Sequence, residues 1–164
     1  ATKVQEELMG IPSFDTPDYS ELFAEEKEMI AKLKKAFLMV AGGAVQKYGP
    51  ELDGHQQLLM AAADILIEIY MAESTILRTE KLAKKEGESK VPEQIAMAKL
   101  YLYKAVDIVT QKGKESIISF AEGDEQRMML MGLRRFTKYT NMPNIVGLRE
   151  TITAKLVAEN SYCF

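Results

Sequence analysis

The sequence predicts an all-α protein: an antiparallel helical bundle of three long helices plus one or two shorter C-terminal helices. Three observations carry this. Ala, Leu, Met, Lys and Glu are abundant, prolines number only five in 164 residues, and Trp is absent, a composition that favours helix over sheet. Apolar residues keep a helical pattern through three successive stretches, each about thirty residues long: at alternating spacings of three and four in the first, around most of the circumference in the second, and about two turns apart in the third. Short polar segments holding Gly or Pro, "YGPELDG" and "KKEGESKVPEQ", divide those stretches. Helices of about thirty residues are roughly 45 Å long, and short connections oblige them to pack antiparallel. With 47% hydrophobic residues the chain can bury one proper core.

The elements follow in order. After the loop-like "GIPSFDTPDY", Thr16 or Asp18 can cap a helix and Pro17 suits its first position, so the first helix is predicted from Asp18 to Tyr48. Ile30, Leu33, Phe37, Val40 and Ala44 form its buried stripe. The second helix, Glu51 to Glu86, is apolar around most of its circumference between Leu58 and Met71 and is expected to be the central one. Pro92 opens a third, held in register by Ile95, Leu102, Val109 and Ile117 and ending near Phe120. Gly123 stops it, and Asp124 caps a fourth over "RMMLMGLRRFTKYT". Asn144 caps a last helix from Ile145 to Glu159.

Lys and Arg total 21 against 24 Asp and Glu, a net charge of −3, which offers no general attraction to nucleic acid or to an anionic membrane. The one cysteine, Cys163, excludes an internal disulfide and makes a reducing, cytoplasmic setting the simpler expectation, with mitochondria the alternative. Its place second from the end does not fit a prenylation box. Asp64, Glu68 and Glu73 interrupt the most apolar run, against a membrane-spanning helix.

Several patterns invite a chemical reading. Asp64 and Glu68 lie one helical turn apart and continue towards Thr75 and Thr79. Two like charges so placed repel, so the expected reading is a structural polar stripe, solvated or offset by Lys99 or Lys104 of a neighbouring helix, over a catalytic acid and base pair. A di-iron site would need Glu-x-x-His motifs on facing helices, and the single histidine, His55, sits in a turn. His55 also lacks the context of a base for a serine or cysteine nucleophile. No residue is assigned to catalysis, cofactor or metal. The glycines of "AGGAVQKYG" lack phosphate-loop spacing, and Gly42 and Gly43 are expected to serve close helix packing. In the fourth helix Met128, Met129, Met131 and Phe136, with Leu130 and Leu133, exceed what one face can bury. With Arg134 and Arg135 they form a candidate interface for a protein partner or a membrane surface, against the blander reading, favoured for the stretch as a whole, of core packing with a basic rim.

Particular stretches go further. "QQLLMAAADILIEIYMAESTILRTEKLA" resembles the long helix of the acyl-CoA dehydrogenase C-terminal bundle, through Gln56 or Gln57, Ala63 with Asp64, and Arg78. "EQIAMAKLYLYKAVDIVTQKG" looks like that bundle's next helix, and the two come in the right order. The match is best over residues 52 to 120, and the remainder resembles the appended C-terminal domain of the very-long-chain type. After Gly113 the chain departs from the family's glycine-rich and Tyr-Glu-Gly-Thr segments that meet flavin and acyl-CoA. The resemblance therefore implies a non-catalytic domain, with FAD bound by a catalytic core upstream in the same polypeptide. Residues 1–17 would be the linker from that core, and 18–164 the bundle. It further implies a homo-oligomer and, through the fourth helix, peripheral membrane contact. A free-standing helical interaction module is the alternative, and a small enzyme using Asp64 and Glu68 a third reading.

Overall fold

The computed structural model describes residues 20–163, which form five helices: α1 (Ala24–Tyr48), α2 (Gln56–Glu86), α3 (Pro92–Phe120), α4 (Gly123–Phe136) and α5 (Ile145–Glu159). Single 3-10 segments, Gly49–Gly54 and Glu88–Lys90, join the first three. The predicted linker, the Thr16 and Asp18 caps and Pro17 lie outside the described residues.

Helix starts differ from the sequence expectation for local reasons. Among the described residues α1 begins at Ala24, after Phe23 adopts a left-handed backbone (φ 65°, ψ 16°) and buries its ring in the core. At the next junction Pro50 lies in a 3-10 segment and His55 is non-helical (φ −93°, ψ 61°), so α2 starts at Gln56 instead of Glu51. The His55 ring stacks on Tyr48 with centroids 3.6 Å apart, which fixes the bend between α1 and α2. Gly123 turns the chain with φ 59°, and α4 starts there. Asp124 is therefore not the cap but an exposed first-turn residue paired with Arg127 at 3.1 Å. α4 ends at Phe136, four residues before the predicted Thr140. The Thr137 N–H still bonds to the Leu133 carbonyl (3.0 Å), and Thr137 Oγ1 donates to the same oxygen (2.9 Å), closing the last turn. The last helix is as read: Asn144 Oδ1 accepts from the Gly147 amide (3.1 Å), and Asn160 closes α5 in the left-handed region.

Cross-helix pairs fix the directions. Lys27 meets Glu80 (2.8 Å) and Lys34 meets Glu73 (2.6 Å), so numbers rise on α1 as they fall on α2, and the two are antiparallel. α3 runs against α2 and alongside α1. Lys99 reaches Glu26 at one end of α1 (3.0 Å), and Phe120 packs against Gly43 towards the other. α4 returns antiparallel in the groove between α1 and α3, placing Met129 at Gly43 and Asn141 at Glu25. The result is an up-down-up-down bundle in which α1 and α3 touch across the short diagonal, with α2 and α4 at opposite corners.

Gly43 shows why the approach is so close. A Cβ there would fall 2.8 Å from Met129 Cε and 2.9 Å from Phe120 Cε2, and one at Gly113 would fall 2.9 Å from Leu133 Cδ1. Gly42 faces open space. Close packing thus holds at Gly43 and not at Gly42, and Gly113 is a second packing glycine that the sequence reading passed over. The predicted stripes are buried: Ile30, Leu33, Val40 and Ala44 on α1, and Leu102, Val109 and Ile117 on α3, with Phe37 and Ile95 partly buried against them. The expectation of α2 as the central helix is overturned, because α3 is the element that touches all four others.

Candidate interaction surface

α2 has the wrong solvent exposure for a central helix. Ile65, Ile69, Ala72 and Ile76 point inward, while Met60, Leu66, Ile67, Tyr70, Met71 and Leu77 stand between 44% and 67% exposed on the opposite side. At 100° per residue these six share one outer sector with exposed Ala63, Ser74 and, at its C-terminal end, Arg78. Such a helix, apolar all round with one side left to solvent, suits burial against something further.

The carboxylates read as a polar stripe are the border of that sector towards α3. Asp64 pairs with Lys112 (3.5 Å) and Glu68 accepts from Tyr101 Oη (3.0 Å). The expected partners differ: Lys99 is engaged by Glu26 on α1, and Asp64 meets Lys112 further along α3. Burial, then the Glu68 carboxylate, pushes the Tyr101 phenol up from its ordinary range. The border towards α1 is built likewise, from Glu73 with Lys34 and Glu80 with Lys27 and Lys84. Hydrogen bonds from Lys27 and then Lys84 hold the Glu80 carboxyl below its usual range. Thr75 Oγ1 donates within its own helix to the Met71 carbonyl (2.7 Å), and Thr79 is buried. Asp64 and Glu68 are therefore each occupied by a separate partner and share no substrate-sized enclosure.

α4 divides the six candidate interface residues. Met128 (48%) and Met131 (66%) are exposed, Met129 (8%) and Phe136 (4%) belong to the core, and Arg134 and Arg135 are exposed. Helical spacing aligns Met128, Met131 and Arg135 on one outward line, bordered by Arg134. The methionine surplus was legible, but not the contact of Met129 with Gly43 that draws it inward. The α2 face was missed although its signal was present: a bundle helix turns only one side inward, so apolar residues on every side predict an outward surplus. α5 rests on α3 with no fully buried residue, and Lys155 comes within 3.9 Å of Glu93.

Two shallow grooves accompany these faces. One, of about 290 Å³, lies between α2 and α3 beside the Asp64–Lys112 pair; the other, of about 300 Å³, lies between Ser20–Leu22 and the end of α2. Among the described residues no group of three or more His, Cys, Asp or Glu is placed to hold a metal ion. No helix among them is long and apolar enough to cross a membrane.

Comparison with known proteins agrees with this architecture. A family model described as the acyl-CoA dehydrogenase C-terminal domain matches residues 32–135. A probable acyl-CoA dehydrogenase of Bacillus subtilis (strain 168) is 36% identical over 159 residues, which are 97% of this chain and 26% of that protein. The crystal structure of an acyl-CoA dehydrogenase complexed with FAD from Bacillus anthracis superposes with a TM-score of 0.88 at 36% identity, covering 99% of this chain and 27% of that one. The chain spans about a quarter of the length of these relatives.

Proposed function

The chain belongs to the acyl-CoA dehydrogenase C-terminal domain family, and from that premise we propose that it is the non-catalytic helical domain of an FAD-dependent acyl-CoA dehydrogenase of the very-long-chain type. Its task in such an enzyme of fatty acid β-oxidation is to assemble or position the catalytic core of the same polypeptide. The observation that carries this reading is the outward line on α4: Met128 and Met131 exposed beside Arg134 and Arg135, on a helix whose other side is firmly packed. Flexible apolar side chains rimmed by arginine are characteristic of docking surfaces.

The described residues do not fit an FAD of their own. Grooves of about 290 and 300 Å³ stand at the lower limit of ligand-sized pockets. Gly42 and Gly43 lie inside α1 and offer no amide cradle for a pyrophosphate. The flavin and the dehydrogenation of the acyl thioester accordingly belong to the core, and no step of that reaction is assigned to this chain.

The test is made in the longer enzyme, with Met131→Asp and Arg134→Glu combined. Both sites are exposed, so the bundle itself should stay folded. FAD release, followed by flavin fluorescence, should separate from loss of helix on heating, giving two transitions where the parent shows one. A single transition with unchanged midpoint and flavin content would refute the docking role of α4.

A further inference from the structure

α5 is held differently from the rest of the bundle. Every other helix buries at least four residues fully, whereas α5 buries none. Ile145, Leu148, Ile152 and Lys155 follow one another at spacings of three, four and three on its inner line, and all four stay partly exposed. Its substantial packing is on α3, where Lys155 comes within 3.9 Å of Glu93, the outer limit of an ion pair. The line of α3 from Glu93 through Ala96 and Leu100 to Tyr103 has the same spacings. Since Tyr139 lies at Tyr103 and Lys155 at Glu93, α5 runs back along that line towards the start of α3.

The caps of α5 do not tie it to its neighbours. Asn144 Oδ1 accepts from the Gly147 amide, Thr151 Oγ1 donates to the Gly147 carbonyl (3.0 Å), and the Asn160 amide donates to the Leu156 carbonyl (3.0 Å), all within residues 144–160. The chain just before it is fixed instead. Tyr139 stacks on Tyr103 with centroids 6.1 Å apart, and the Glu25 carboxylate on α1 accepts from both the amide (2.7 Å) and Nδ2 (3.3 Å) of Asn141. Beyond Asn141 come Met142, 70% exposed, and Pro143, which has no N–H to donate. The pinned chain and the loosely seated helix are thus separated by three residues.

We propose that α5 is a detachable strap, hinged at residues 142–144, that leaves α3 as a unit while α1 to α4 stay folded. Glu25 sets the place of the hinge by pinning Asn141. Once released the helix does not persist, because isolated helices of about fifteen residues or fewer are marginal in water. Val146, Gly147, Thr151, Ile152, Thr153 and Val157 are moreover weak helix formers. Release is therefore an order-to-disorder transition, drawn from the least stable part of the fold. It bares the Ala96 and Leu100 side of α3, which the closed strap covers. The inference does not depend on the docking of α4.

The test is amide hydrogen exchange of the 164-residue chain followed by NMR, under conditions in which exchange reports the equilibrium population of the open form. The amides of residues 149–160 should exchange at least about a hundredfold faster than those of the buried turns of α3. Corrected for intrinsic rates, they should agree along the segment. Ile152→Ala, on the inner line, should speed exchange in α5 by a further tenfold or about that and leave α1 to α3 unchanged. Val157→Ala, at a site 74% exposed on the outer side, should not speed it. A steady rise in exchange from the hinge to Asn160 would be fraying and would overturn release as a unit, and equal acceleration by Val157→Ala would overturn α3 as the seat. Protection in α5 equal to that in α3, or a loss shared by α3 in Ile152→Ala, would make the helix an integral part of the bundle and overturn the proposal.

Discussion

Gly42 and Gly43 are adjacent inside the C-terminal third of α1, and alanine at each should have opposite consequences. Both substitutions remove a glycine from a helix interior, which stabilises by about 1 kcal/mol through backbone entropy. At Gly42 nothing lies within 4 Å of the new methyl, so the whole gain should appear, raising Tm by about 2–4 °C for a chain of this size. At Gly43 the methyl would lie 2.8 Å from Met129 Cε and 2.9 and 3.1 Å from the edge of the Phe120 ring. The methionine tip can move. The Phe120 ring is buried and cannot swing aside without displacing α3 or α4, so overpacking of about 1–3 kcal/mol is expected. Gly43→Ala should thus range from neutral to about 2 kcal/mol destabilised, the two variants differing by about 1–3 kcal/mol. Thermal and urea unfolding followed by circular dichroism measure both. Adding Met129→Ala to Gly43→Ala should restore part of the loss relative to Met129→Ala alone, a coupling expected only for side chains in contact. If Gly43→Ala proved as stable as Gly42→Ala within about 0.5 kcal/mol, the close approach of α1 to α3 and α4 would be wrong.

Asp64→Asn and Glu68→Gln should each change stability by no more than about 1 kcal/mol, since each carboxylate has one partner at a partly exposed border; in the longer enzyme, loss of turnover with folding and flavin intact would revive the catalytic reading. Tyr139 makes a pH prediction. Its hydroxyl is buried without a hydrogen-bond partner among the described residues, and burial, followed by Glu26, Asp107, Tyr103 and Glu25, pushes its phenol far up. The folded chain keeps that proton while the unfolded chain releases it near the ordinary value of about 10. Stability is therefore fully present below about pH 10 and lost above it. Tyr139→Phe should be up to about 1 kcal/mol more stable at neutral pH and should lose stability less steeply in alkali; an unchanged alkaline slope in urea titrations would refute the assignment.

The fold was legible wherever spacing alone decides burial. The stripes through Leu33 on α1 and Leu102 on α3, the turns at Gly49 and Gly87, and the Asn144 cap all follow from local chemistry. What escaped was set by other elements. The start of α1 depends on where the Phe23 ring lodges, and the extent of α2 on His55 stacking with Tyr48. Periodicity distinguishes an inner from an outer side only when one of them is polar. α2 is apolar on both, so its rank in the bundle could not be read, and the face that results went unseen. The candidate interface on α4 was half legible: Met128 and Met131 are where the surplus argument places them, while Met129 answers to a glycine that precedes it by more than eighty residues.

Phe23 has a mechanical consequence. A left-handed backbone at a residue bearing a Cβ costs about 1–2 kcal/mol, and burial of the ring offsets it. A pull applied at Ser20 would therefore not simply peel away the first turn of α1. It would have to lift an aromatic plug from among the packed helices, while Lys27 and Glu80 resist sliding of α1 along α2. The junction acts as a rigid clamp instead of a swivel, so a displacement delivered through the preceding chain would tilt the whole bundle, carrying the outer faces of α2 and α4 with it as one lever.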